Sequence, residues 1–375
     1  MSCKNCTKLL TVLTLFVVLL LHKASPVSAQ WKVINLETKA NFRAVHAPKS
    51  RVCWIGGSGG TVLRTQDGGN VWDIMNVHGA DSLDFRDIHA FDESTAIAMS
   101  AGMAQEGKAK IYRTENGGDS WQLVYQTTQA GVFLDGLDFW DKTQGICFGD
   151  PVDGRFFVLL TDDGGRSWQE LPMAQRPAAL DQEAAFAASG TSLIAVGKSQ
   201  AFIVTGGGQK ARVLRSEDRG RSWQASETPL PAGPTSGLFG VRFWSKKRGI
   251  AVGGNYQETA DAAPNVLLTK DGGVSWKLSG ATSPAGLKEA VGLYHSEFFN
   301  YGGDRRSTAN HRYALVAVGP SGSGFSTDFG KTWTTISKEP FHAVSFAGPD
   351  GFAVGGKGLV ATFTKIPKKR KKFTR

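Results

Sequence analysis

One eight-residue pattern, closed by tryptophan, occurs six times in the chain and constrains the fold more than any other feature. The first copy reads Thr65-Gln66-Asp67-Gly68-Gly69-Asn70-Val71-Trp72. The others run from Thr114 to Trp121, Thr161 to Trp168, Ser216 to Trp223, Thr269 to Trp276 and Ser326 to Trp333. The first position is always Ser or Thr, and the fifth is always Gly. The third is Asp67, Asn116, Asp163, Asp218, Asp271 and Asp328 in turn. Successive tryptophans stand 47 to 57 positions apart. A fixed period in this range is the mark of a repeat architecture, in which each unit buries its apolar face on its neighbours.

The chemistry of the positions points to a tight turn between strands. A short carboxylate or amide accepts backbone N–H bonds and closes the turn. The invariant glycine supplies a positive φ at no steric cost. The tryptophan opens the next strand with a large ring to bury. A β-type run precedes each copy, as in Thr61-Val62-Leu63-Arg64 and Asn265-Val266-Leu267-Leu268. These copies resemble Asp-box repeats, also called BNR repeats.

Two further strands precede that run in each unit. The opening strands are expected at 42–47, 85–91, 134–140, 184–188, 238–244, 289–294 and 341–346. The second strands are expected at 52–56, 96–99, 145–149, 193–197, 250–253, 314–319 and 352–355. Four strands per unit of this length predict a β-propeller blade. Seven opening strands but six turns leave the seventh unit one strand short. Trp31-Lys32-Val33-Ile34-Asn35-Leu36 resembles the missing Trp-led strand, so the chain start is expected to complete the last blade and leave no open sheet edge. The expectation is an all-β, seven-bladed propeller over 30–365, closed by the N-terminal strand and monomeric.

Composition assigns the rest of the chain. The 375 residues carry a formal charge of +10, which resembles a nucleic-acid signal until it is located. Residues 1–29 hold Lys4, Lys8 and Lys23 and no acid, while 365–375 hold seven bases and no acid. The body between them balances 33 bases against 33 acids, so no broad nucleic-acid-binding face is expected. Residues 1–29 read as a secretory signal peptide, with a basic start, an apolar run from Leu9 to Leu21 and Val27-Ser28-Ala29 before the cut. The apolar run is too short to span a bilayer. Export to the periplasm or the extracellular space is the expectation. The tail 366–375 is expected to be a disordered basic end, either simply solvated or drawn to anionic lipid as a peripheral contact. The polar stretch 295–312 is expected to be an inserted surface loop of blade six.

The mature chain keeps Cys53 and Cys147, placed in separate units and expected to be buried thiols. It has no CxxC, HExxH or Cys/His cluster, so no metal and no cofactor are expected. His46 and His89 read as satisfied strand residues.

The turns of the form Thr-x-Asp-Gly-Gly-x-Ser/Thr-Trp and opening strands such as Phe85-Arg86-Asp87-Ile88 resemble the photosystem II stability/assembly factor family and its bacterial relatives outside photosynthesis. Gly149-Asp150-Pro151-Val152-Asp153-Gly154-Arg155 and Gly253-Gly254-Asn255-Tyr256 resemble the second group. The resemblance spans 31–364. It implies a seven-bladed propeller that acts as an assembly factor by binding a protein, not as an enzyme. Asp boxes also occur in sialidases and other glycoside hydrolases, so the box alone selects no function.

Aligning the opening strands brings Arg43, Arg86, Asp135, Ala184, Phe239, Glu289 and His342 to one level of the ring, with Glu183 beside the fourth position. A basic sector of His342, Arg43 and Arg86 then faces the carboxylates Asp135, Glu183 and Glu289. The same face is expected to carry Asp150, Asp153, Arg155 and Tyr256. Two readings follow. Arg43 and Arg86 clamp a carboxylate or acidic peptide of a protein or carbohydrate partner, or these side chains pair with one another and plug the channel. The competing enzymatic reading is a glycoside hydrolase, which needs two carboxylates at a defined separation. Asp135, Glu183, Asp150 and Asp153 are the only set on one face. An open cleft with two unpaired carboxylates favours the hydrolase. A plugged channel with paired carboxylates favours the binder.

Overall fold

In the computed structural model, residues 30–295 and 313–364 are described. Residues 1–29, expected to be a signal peptide, nearly all of the 295–312 stretch and the basic tail lie outside the described residues. The described chain forms seven four-stranded antiparallel sheets arranged as a propeller. Six blades run inner to outer in chain order. The seventh takes its three inner strands from Phe341–Ala347, Asp350–Gly355 and Val360–Thr364, and its outer strand from Gln30–Ile34. Trp31 pairs with Phe363 and Ile34 with Val360, so the chain start closes the ring as expected. The Trp31 ring stands 4.9 Å from Phe363 and 5.3 Å from Phe341, and its Nε1 donates to Ser323 Oγ of blade six at 2.9 Å.

The repeated turns act as their residues require. In the first, Asp67 Oδ1 accepts N–H bonds from Asn70 at 2.9 Å and Val71 at 3.0 Å, while Gly69 N donates to Thr65 Oγ1 at 2.9 Å. The fifth-position glycine has a positive φ in every copy, from 78° to 94°. It has a second role that the sequence alone does not reveal. A Cβ on Gly165 would lie 2.6 Å from Ile97 of the preceding blade, so the turn also sets how closely neighbouring blades approach.

The apolar core is a ring of interfaces between blades. Trp54, Phe85, Ile88, Ala98 and Tyr112 fill the space between blades one and two. Phe42, Cys53, Leu63, Phe352 and Val360 seal blade seven against blade one. The larger of these side chains, such as Phe85, Leu63 and Val360, each contribute roughly 1.5–3 kcal/mol when fully buried. Cys53 and Cys147 are both buried free thiols. Along the channel, side chains of one inner strand accept backbone N–H groups from the next. His46 Nδ1 takes Ala90 N at 2.9 Å, Asp87 Oδ2 takes Leu137 N at 2.7 Å, and Asp138 Oδ2 takes Ala195 N at 2.8 Å. His89 binds Asp138 at 3.0 Å, so both histidines are satisfied within the fold.

Blade four departs from the expected strand assignment. Its inner strand is Leu193–Val196, expected as the second strand, and its next two are Gln200–Val204 and Lys210–Ser216. The stretch 184–188 is no strand; only Ala184 forms an isolated bridge, to Gly206. Its apolar residues have the composition of a buried strand, but they are buried by lying against other blades.

Candidate functional site at the channel mouth

The loops before each inner strand and between the second and third strands share one face. Ser58 N there donates to Asn41 O at 3.0 Å. A cavity of about 560 Å³ opens on this face over the channel axis. Arg43, Arg86, Asp135, Asp150, Tyr256, Glu289 and His342 all line it.

The segment 185–189 forms part of its wall. Arg43 Nη1 donates to Ala188 O at 3.1 Å and Arg86 Nη1 to Ala187 O at 2.9 Å. Ala185 N donates to Asp150 Oδ1 at 2.9 Å, and Ser189 Oγ to Glu289 O at 2.8 Å. The Phe186 ring stacks on Phe239 at 4.2 Å and meets Tyr256 edge-on at 6.0 Å. A segment that touches blades one, two, three, five and six must lie across the axis, so it narrows the channel mouth. Small side chains in Ala184-Ala185-Phe186-Ala187-Ala188-Ser189-Gly190 let its backbone sit that close. That run of alanines is the signal by which it could have been found.

The charged groups divide into paired and unpaired sets. Glu289 is buried and holds Arg43 at 3.3 Å and His342 Nδ1 at 2.5 Å. Arg86 Nε meets Asp84 at 2.6 Å. Both guanidinium groups stay partly open to the cavity, with side-chain exposures of 24% for Arg43 and 30% for Arg86. Asp135 is 1% exposed, and neither carboxylate oxygen has a hydrogen-bond partner among the described residues. Burial, and then the neighbouring Asp150, pushes its carboxyl well above the usual range. Burial likewise raises Asp150, to about 6.

Three expected site residues lie elsewhere. Glu183 does not face the ring. It is buried in blade four, where Oε1 accepts Arg212 Nε at 2.8 Å and Thr205 Oγ1 at 2.6 Å. It was placed on the ring because 184–188 was read as an inner strand. Asp153 is exposed at a hairpin tip with φ 51°, and Arg155 donates to Arg176 O at 2.7 Å; neither lines the cavity. The apolar half of the cavity was missed: Phe133, Phe186 and Leu287 line it beside Phe239 and Tyr256. The third-position residues of the turns serve the turns and stand away from this cavity.

No protein-family profile matches the chain. In sequence, 144 residues are 27% identical to the photosystem II assembly lipoprotein Ycf48 of Synechococcus sp. (strain CC9902), over 38% of this chain. The chain spans 40% of that relative's length in the match. In structure, Ycf48 bound to D1 peptide superposes with a TM-score of 0.61 at 16% identity, covering 91% of this chain and 97% of the other. The chain resembles Ycf48. An ancestral GH74 enzyme also reaches a TM-score of 0.61, at 13% identity, over 88% of this chain and 46% of its own. The two superpositions show only the shared propeller fold; the sequence match is what singles out the Ycf48 likeness.

Proposed function

We propose that this protein is an exported, non-catalytic assembly or stability factor that binds a segment of a client protein at its channel mouth. The observation that carries this reading is the divided cavity. Arg43 and Arg86 are held side by side on blades one and two, opposite an aromatic wall of Phe186, Phe239 and Tyr256. Guanidinium groups recognise carboxylates through charge-assisted hydrogen bonds, and aromatic walls take apolar side chains. A short peptide offers both. The likeness to Ycf48, whose structure holds a D1 peptide, supports the same reading. Paired Glu289 and Glu183, with a channel mouth narrowed by 185–189, favour binding over hydrolysis. Asp135 is buried, not set across an open cleft from a second carboxylate.

The test is fluorescence anisotropy on a panel of short apolar peptides with free or amidated C-termini. Free-carboxylate peptides should bind the wild type and lose at least tenfold in affinity with Arg43→Ala/Arg86→Ala. Full binding by a folded double variant would sink the proposal. Turnover of chromogenic glycosides, abolished in Asp135→Asn, would replace it with the hydrolase. A carbohydrate that competes for the mouth while every peptide fails would redirect it to sugar binding. Export is tested by fractionating cells that carry the full chain or a chain lacking 1–29.

A further inference from the structure

Asp135 poses a physical problem that the client-binding reading leaves unsolved. Buried carboxylate oxygens are nearly always hydrogen-bonded, because an unpaired buried polar group costs roughly 1–3 kcal/mol and more when charged. Asp135 has two oxygens without partners at 1% exposure. Asp150 stands next to it and, among the described residues, accepts only Ala185 N. The charge of nearby Arg86 lowers the Asp135 carboxyl, but burial and Asp150 outweigh it. Arg86 is committed to Asp84 and to Ala187 O. The mouth thus has a second, acidic pole, built from the first two strands of blade three, inside the same cavity as Arg43 and Arg86. Phe133 lines the cavity beside both carboxylates and offers an apolar wall.

We infer that Asp135 and Asp150 form a subsite for a primary ammonium group, the lysine side chain of the bound segment. The ammonium donates three N–H bonds in any direction and is compact enough to enter a narrow pocket. Its alkyl stem lies along Phe133 while its head reaches the unpartnered Asp135 oxygens. A guanidinium is planar and broader, so it fits this pole less well. The inference rests on the mouth being a site for a protein segment. It adds that the segment carries a lysine as well as a carboxylate, so a purely acidic segment would leave Asp135 unpaired.

The experiment uses the full chain and a probe that does not require Arg43 or Arg86. N-acetyl-lysine amide is titrated into labelled protein by NMR, with N-acetyl-norleucine amide as its uncharged counterpart. The lysine probe should give saturable shifts around blade three, and the norleucine probe none. Asp135→Asn should weaken the lysine probe at least tenfold. Asp150→Asn, which removes the second carboxyl and leaves the first, should weaken it by a smaller factor and guards against a folding defect in the first variant. Equal shifts for both probes, or undiminished binding in a folded Asp135→Asn protein, would overturn the inference. Loss of peptide binding in the Arg43/Arg86 double variant with retained lysine-probe binding would separate the two poles. The reverse pattern would sink the acidic pole and leave the client-binding reading standing.

Discussion

Arg43 on blade one reaches Glu289 on blade six at 3.3 Å, and the same carboxylate holds His342 of blade seven at 2.5 Å. Three blades thus meet at one buried acid, so a single substitution should report on both stability and charge. Glu289→Gln removes the charge and keeps the shape. We expect a loss of about 1–3 kcal/mol, the scale for a buried hydrogen-bonded carboxylate. We also expect tighter binding of carboxylate peptides, because Arg43 is no longer neutralised. Urea unfolding and peptide anisotropy on one sample check both, and weaker peptide binding would count against the clamp.

Stability should pass through a maximum on the acid side of neutrality. Burial raises Asp150 to about 6 and also raises Asp135, so their stabilising effect is present below the usual carboxylate range and is lost as pH rises through the raised values, about 6 for Asp150. The turn aspartates act in the opposite sense. Ser275 and backbone N–H bonds hold Asp271 down to about 2, and Asp163, Asp218 and Asp328 are lowered too. Their contribution is present above the usual range and is lost as pH falls toward 2. Urea midpoints from pH 2 to 8 should therefore rise and then fall. Asp150→Asn should flatten the upper limb alone.

The fifth-position glycine should be the least replaceable residue of each turn. At Gly165 φ is 78° and an added Cβ would meet Ile97 at 2.6 Å. Left-handed strain of roughly 1–2 kcal/mol and overpacking of about 1–3 kcal/mol should together remove about 2–5 kcal/mol in Gly165→Ala. Gly79, with φ 73° and nothing within 4 Å of an added Cβ, is the control and should lose only the strain. Equal losses at both sites would show that contact between blades is not the second constraint.

Trp31 should act as the clasp of the ring. Trp31→Ala removes three aromatic contacts, to Phe341, Phe346 and Phe363, and the bond to Ser323, with an expected loss of about 2–4 kcal/mol for a half-buried ring. Hydrogen exchange should localise the opening to blade seven, with Val360–Thr364 exchanging first. Uniform exchange across all blades would argue against a clasp.

Most of the ring was legible because each blade repeats its own punctuation. Six Trp-closed turns fixed the third and fourth strands, and the unpaired Trp31 segment fixed the closure. Blade four was misread because Ala184–Ala188 is as apolar as a strand, and burial alone does not say which neighbours provide it. The same error carried Glu183 onto the ring. Arg43, Arg86, Asp135, Glu289 and His342 line one cavity because they stand at one level at the inner strands of neighbouring blades. Pairing was not legible. That Glu289 is neutralised while Asp135 is not depends on side-chain reach across the channel, which strand alignment does not encode.

The closure of blade seven also dictates an order of events. Trp31 lies at the start of the propeller, and its partner Phe363 lies at the end. The six hairpin-built blades need only nearby contacts and can form while the chain is still emerging. The clasp joins residues of the widest sequence separation in the domain, the slowest kind of contact to make. Until the last strand is released, the first has no partner, and the unpaired edge of Gln30–Ile34 is the surface that a chaperone or a second nascent copy would meet.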